Sequence, residues 1–318
     1  MSDRLQTRAV VTKDPFLEFI STRRAEIEDW ISRHITGRED RALFHRVLME
    51  GKRLRPLLLL LVFEALGGTK RESALDVAMS LELAHNASLI HDDVIDMDLY
   101  RRGKPALWRQ VGIGRAVIEG HRIINLAYKI VLEKGVEVAR VFLDAWDKAS
   151  FGVFEEVLTK SSSLNELYLK IAAEKTGYLF AAAAEVASIL AETDQTTRAS
   201  MKRYGLLVGT LYQLADDCVE IRRGGGLLRV ILKIQQIEDI VRKAYIALKV
   251  GRFRSAMSSI VQLNSLSVFI KENMTRILNE IDELIDSIDV RHEYRDMLKR
   301  YPRYCVNEML EEAKLKRR

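Results

Sequence analysis

Three aspartates stand within five residues in His91-Asp92-Asp93-Val94-Ile95-Asp96, just after Ala87-Ser88-Leu89-Ile90. On a helix, positions four apart share a face, so Asp92 and Asp96 point the same way with Asp93 beside them. Such carboxylates repel one another, and at a helix C-terminus they oppose the dipole, so a divalent cation is what relieves them. Gln213-Leu214-Ala215-Asp216-Asp217-Cys218-Val219-Glu220 repeats the spacing far downstream. Hard oxygen donors, with no His or Cys cluster at metal-binding spacing, point to Mg²⁺, with Mn²⁺ the alternative, and away from zinc. The candidate metal ligands are Asp92, Asp93, Asp96, Asp216, Asp217 and Glu220. Because Mg²⁺ takes only one or two carboxylates and fills its octahedron with waters and phosphate oxygens, the donor set implies a phosphorylated substrate.

Basic residues supply the complementary half. Gly51-Lys52-Arg53-Leu54-Arg55-Pro56 sets Lys52 and Arg55 three apart, on one expected helical face, and Arg101-Arg102-Gly103-Lys104 follows the first acidic cluster. Arginine forks grip phosphate bidentately, and cations beside a metal-bound phosphate neutralise a leaving diphosphate. Either cluster alone reads as exposed ion pairing; bracketing the aspartates makes the functional reading the stronger one.

Helices must position these groups. Apolar residues recur at helical spacing nearly throughout, and strict alternation persists nowhere, so the chain reads all-α. Helices are expected at 16–33, 40–48, 54–66, 71–97, 112–133, 136–160, 164–173, 176–192, 196–222, 227–249, 252–263, 267–288 and 293–314. Breaks fall at Gly67-Gly68, Arg102-Gly103-Lys104-Pro105 and Gly224-Gly225-Gly226. No Ser/Pro/Gly-rich linker or fixed-period repeat divides the 318 residues, which predicts a single domain over 1–318. The run Ala181–Ala184 is read first as tight helix packing.

Composition narrows the classes. With 48% apolar residues, 30% charged and four prolines, the chain suits long soluble helices. Its longest apolar run, Leu57–Phe63, is far short of the roughly 20 residues of a membrane span. The N-terminus lacks a secretory apolar run, and two cysteines cannot build a disulfide framework, so a reducing cytoplasm is expected. The 50 basic and 45 acidic residues are interspersed, which argues against nucleic acid as a partner. His91, His121 and Cys218 read as core or supporting residues.

The order GKRLRP, HNASLIHDDVIDMDLYRRGKP, EKTGYLF and YGLLVGTLYQLADD resembles the trans-isoprenyl diphosphate synthases over about residues 45–221, and weakly again from Glu280. The resemblance implies the isoprenoid synthase fold: a bundle of long helices around a deep central cavity, usually in a homodimer, with a heteromer as the alternative. It implies that the aspartate-rich helices face each other across the cavity mouth. Lys52, Arg55, His85 and Arg102 would hold isopentenyl diphosphate, and Arg101, Lys175 and Gln213, with Thr176 nearby, an allylic diphosphate bridged by Mg²⁺. The allylic C–O bond ionises, the alkene attacks the cation, and the departing diphosphate takes the proton.

Four departures cluster on the allylic side. Glu220 replaces an aspartate, and Arg222-Arg223-Gly224-Gly225-Gly226 replaces a lysine-bearing loop, with Arg222 or Lys233 as candidate substitutes. Gly120-His121 stands for Gly-Asp, and Gly152-Val153-Phe154-Glu155-Glu156 for Gly-Gln-x-x-Asp. They keep a second reading in play, a weak or inactive member serving as a regulatory or scaffolding subunit. A terpene cyclase is a third, which Lys52, Arg55 and Arg102 argue against. Ala87 and Ser88, five and four positions before the first aspartate, leave the implied cavity open, so the expected product has geranylgeranyl length or more. Replacing Ala87 with Phe is expected to shorten it; an unchanged product distribution contradicts the length reading.

Overall fold

Seven apolar side chains in a row at Leu57–Phe63 cover every face of a helix, and a helix apolar all round must be enclosed all round. The computed structural model describes residues 14–35, 41–48, 51–158, 164–222 and 253–315. The chain runs through α1 (Pro15–Ile35), α2 (Arg41–Leu48), α3 (Leu54–Ala65) and α4 (Arg71–Ile95), then an antiparallel pairing of β1 (Tyr100–Arg101) with β2 (Lys104–Pro105). Next come α5 (Leu107–Val111), α6 (Ile113–Leu132), α7 (Val136–Leu158) and α8 (Leu164–Ala172), and a π-helical turn, Ala173–Gly177, leads into α9 (Tyr178–Leu190). The remaining described helices are α10 (Gln195–Arg222), α11 (Phe253–Ser287) and α12 (His292–Leu315).

Every residue of α3 is buried, with α1, α4, α9 and α12 packed around it. Each leucine enclosed there contributes about 1.5–3 kcal/mol relative to exposure. The C-terminal helices close the same core from one side. Tyr204 of α10 donates to the Leu298 carbonyl at 2.7 Å, and Tyr301 of α12 donates to the carbonyl of Leu54 at the start of α3.

The all-α expectation holds, with local corrections. Helix α4 stops at Ile95 rather than 97, because Met97 takes a left-handed conformation (φ 53°), so the first acidic cluster forms the helix's last turn. The break at Arg102-Gly103 is a two-residue hairpin loop in which both residues have positive φ (51° and 77°), the backbone that tight hairpins favour. The hairpin and α5 had no sequence forecast. The stretches 252–263 and 267–288 form one helix, α11, and the π turn bridges the gap expected before 176. Lys52 and Arg55 do not share a helical face: α3 begins at Leu54, and Arg53 before it is left-handed (φ 56°). The expected helix 227–249, the Gly224–Gly226 break and Lys233 lie outside the described residues.

Where α9 crosses α10 the backbones nearly touch. A Cβ on Gly205 would lie 2.3 Å from the Phe180 carbonyl oxygen, and one on Gly209 would lie 2.8 Å from the Gly177 Cα. The buried run Ala181–Ala184 therefore serves close helix packing, as its sequence reading had it. Gly209→Ala is expected to destabilise the fold by about 1–3 kcal/mol in urea unfolding, because backbone must move. Gly114→Ala in α6, where a Cβ meets nothing within 4 Å, should be neutral or stabilising by up to about 1 kcal/mol.

Candidate active site

The last turn of α4 carries three carboxylates beside the helix's own terminal carbonyls, so negative potential accumulates there. The Asp96 amide closes that turn on the Asp92 carbonyl at 2.8 Å. Asp93 is buried, and Arg101 of β1 answers it, donating from Nε to Oδ1 at 2.7 Å. Burial still raises the Asp93 carboxyl above the ordinary range, outweighing Arg101. Side-chain donors pin the hairpin that delivers Arg101 and Arg102. Arg46 of α2 reaches the Pro105 carbonyl at 2.6 Å, Trp108 the Asp98 carbonyl at 2.8 Å, and Arg109 the Leu99 carbonyl at 3.2 Å.

A second group gathers at the entry to α3. Arg53 is fully enclosed: it donates to Glu28 and Glu82, both at 2.9 Å, and to the Leu48 carbonyl. Gly51 makes room, since a Cβ there would lie 2.5 Å from an Arg53 Nη. Glu82 also accepts from Asn86 at 3.3 Å, and Arg102 makes a long 3.5 Å contact to the Asn86 amide oxygen. Arg55 is buried over the Phe180 ring, 4.6 Å from its centroid, and its Nε has no hydrogen-bond partner. Burial lowers its pKa. Lys52 lies 5.8 Å from the centroid of Tyr212 on α10. His85 sits within the field of these cations: burial first, then Arg55, Arg102, Arg101 and Arg53, push its pKa well below the ordinary value of 6.5. The ring is therefore neutral.

The third group joins α8, the π turn and α10. Tyr168 donates to Asp217 Oδ2, Gln213 donates to Asp217 Oδ1 at 3.0 Å, and Thr176 donates to Gln213 Oε1 at 2.6 Å. Burial, and next the Asp217 charge, raise the Tyr168 phenol well above its usual range. Lys175 and Thr176 stand on the π turn, a wide turn often found at functional sites. Gly152 of α7 lets it close, because a Cβ there would sit 2.7 Å from the Lys175 amide nitrogen.

The sequence profile of the polyprenyl synthetase family matches residues 40–224, which include the three groups except Glu28. The chain belongs to this family. The geranylgeranyl diphosphate synthase of Methanosarcina mazei is 34% identical over 179 residues, 54% of this chain and 55% of that protein. This chain thus spans about half the length of that relative. The hexaprenyl pyrophosphate synthase of Saccharolobus solfataricus is 25% identical over 303 residues, 94% of this chain and 98% of that protein. The geranylgeranyl pyrophosphate synthetase of Pyrococcus horikoshii superposes with a TM-score of 0.75 at 25% identity, over 92% of this chain and 99% of that one. The architecture is the isoprenoid synthase fold.

In this polyprenyl synthetase family member, α4 and α10 border a common cationic region. Arg55 interacts electrostatically with both His85, seven residues before Asp92, and Tyr212, four before Asp216. Among the described residues, no three carboxylate, imidazole or thiol groups converge into one metal-holding cluster. The side chains of Glu220 and Arg222 lie outside the described set. The donors still suit Mg²⁺, which needs few protein oxygens when phosphate supplies the rest, and the unpartnered Arg55 Nε suits an anion. His91 packs against α6, its Nε2 3.3 Å from the Val117 carbonyl and abutting Gly120, in the supporting role expected of it. Sequence reading passed over Tyr168, which lies apart from the charged motifs, and Tyr212, Phe180 and Asn86, which stand within or beside them with no charge to single them out.

A depressed histidine pKa means that the unfolded chain takes up the proton first as pH falls. His85 therefore contributes stability that is present above pH 6.5 and is lost as pH drops toward its folded value. Urea unfolding should show stability falling from pH 7 to pH 5, with a shallower fall in His85→Gln; identical slopes would contradict the neutral ring.

Proposed function

We propose that the chain is a Mg²⁺-dependent isoprenyl diphosphate synthase that joins isopentenyl diphosphate to an allylic diphosphate, giving a trans-polyprenyl diphosphate of geranylgeranyl length or longer. The observation that carries this reading is the buried Arg55 beside a neutral His85 and Arg102, with Lys52 at the edge, bordered by two helices that each carry an acidic turn. Residence in the cytoplasm, a homodimer and a single domain over 1–318 belong to the proposal.

Lys52, Arg55 and Arg102 neutralise the diphosphate of isopentenyl diphosphate, and the neutral His85 adds a hydrogen bond without a further like charge. Arg101, Lys175, Thr176 and Gln213 orient the allylic diphosphate. Asp92, Asp93, Asp96, Asp216, Asp217 and Glu220 would hold Mg²⁺, which when bound supplies the charge neutralisation that favours departure of the diphosphate. The alkene attacks the resulting allylic carbon, and the departing diphosphate takes the proton. Ala87, fully buried, and Ser88 stand one turn above the aspartates, where small side chains leave length to the cavity below. The rival reading, a regulatory or scaffolding subunit of a heteromer, draws on the departures at Glu220 and Arg222–Gly226.

Purified protein incubated with Mg²⁺, labelled isopentenyl diphosphate and a C5, C10 or C15 allylic diphosphate should give butanol-extractable product. Chelating the metal should abolish it, and Asp92→Asn should lower kcat/KM by on the order of 100-fold or more. Folded protein that yields nothing with any primer supports the subunit reading, and cyclic hydrocarbon from an allylic diphosphate alone supports a cyclase.

A further inference from the structure

We propose that Tyr168 is a positioning residue for the second acidic turn: its phenol fixes Asp217, and Asp217 in turn sets the side chains of Gln213 and Thr176. The inference deepens the prenyl-transfer reading and rests on it for the identity of the ligand, a Mg²⁺-bound diphosphate. Tyr168 lies on α8, away from every charged motif in the sequence, and is 5% exposed; Asp217 is 8% exposed. The two Asp217 oxygens accept from different elements, Oδ2 from Tyr168 and Oδ1 from Gln213.

Those two bonds have unequal consequences. Gln213 shares α10 with Asp217, so its bond ties the helix to itself. Tyr168 belongs to the segment that becomes the π turn, so its bond ties the Lys175–Thr176 backbone to α10. The direction of the Gln213 amide follows from the arrangement. Because the carboxylate demands the NH₂ group, the amide oxygen turns to Thr176 and accepts its hydroxyl at 2.6 Å. Without the Tyr168 hydroxyl, a buried carboxylate next to Asp216 loses a donor from a fixed direction, and the amide and hydroxyl that take their orientation from it lose their reference.

Tyr168→Phe keeps the ring and deletes only the hydroxyl. It should raise KM for the allylic diphosphate about 10-fold, the order expected from loss of one hydrogen bond to a charged group, and raise half-saturating Mg²⁺ in parallel. KM for isopentenyl diphosphate should stay within about two-fold of wild type. Tyr128→Phe on α6, outside the three groups, should change none of these. A second measurement needs no turnover. Inorganic pyrophosphate with Mg²⁺ should raise the melting temperature of wild type, and Tyr168→Phe should need about 10-fold more pyrophosphate for the same rise. Equal changes in both KM values, or an unchanged allylic KM and pyrophosphate response in folded Tyr168→Phe, would overturn the positioning role and leave the prenyl-transfer reading intact. Wild-type protein that binds Mg²⁺-pyrophosphate but makes no product would sink the prenyl-transfer reading, with the pyrophosphate comparison still deciding Tyr168. Wild-type protein that does neither would overturn both.

Discussion

A guanidinium that cannot reach water must be given carboxylates, and Arg53, with none of its side chain exposed, is given two. Glu28 arrives from α1 and Glu82 from α4, while the Leu48 carbonyl closes the set from α2. One side chain therefore locks four helices together at the point where α3 begins. Lys52 and Arg55 flank it, so the cations proposed to face phosphate inherit their directions from a buried ion pair outside the proposed substrate site. Removing Arg53 would strand the buried Glu82 carboxylate in the interior, a penalty of about 3–5 kcal/mol. This part of the site can change only together with the fold.

Around that anchor the protein holds an arrangement that is unfavourable on its own. Arg55 is enclosed with one donor nitrogen unanswered, His85 is held neutral by burial and then by its cationic neighbours, and Asp93 keeps a raised pKa despite Arg101. The Arg55 Nε departs from the rule that buried polar atoms are satisfied, whereas Asp93 is paired with Arg101 and is raised by burial all the same. Under the proposed function, the anion that answers the Arg55 Nε is the diphosphate of a metal-bound substrate. A metal-bound diphosphate carries both signs in one ligand.

Much of this was written in the chain. Paired carboxylates at helical spacing, the run Leu57–Phe63 and the breaks at Gly67-Gly68 and Arg102-Gly103 are local signals, and each was legible because spacing alone decides it. Arg53 was not separable from its neighbours. That it turns into the ion pair depends on a left-handed backbone at that residue, and Glu28 and Glu82, which hold it there, are distant in sequence. Tyr168 was invisible for a similar reason: a tyrosine on an amphipathic helix reads as core until the helix is docked and its hydroxyl meets Asp217. The hairpin was missed because two residues per strand are too few to alternate.

The sequence departures acquire a physical pattern once the packing is known. Gly120 and Gly152 keep their glycine, and at each a Cβ would strike a neighbouring helix: the His91 ring at 2.5 Å and the Lys175 amide at 2.7 Å. The residue after each changes, His121, which is exposed, and Val153, which is half-buried, and Glu156 stands where the pattern has Asp. The half proposed to take isopentenyl diphosphate is bound to the core through Arg53, Glu82 and Asn86, so stability itself opposes change there. The half proposed to take the allylic substrate hangs on hydrogen bonds at helix ends and on a π turn, where a substitution alters the ligand's surroundings and leaves the core standing. Drift in a primer preference is therefore easier for this fold than drift in the site for isopentenyl diphosphate, and the departures fall on the side where that argument puts them.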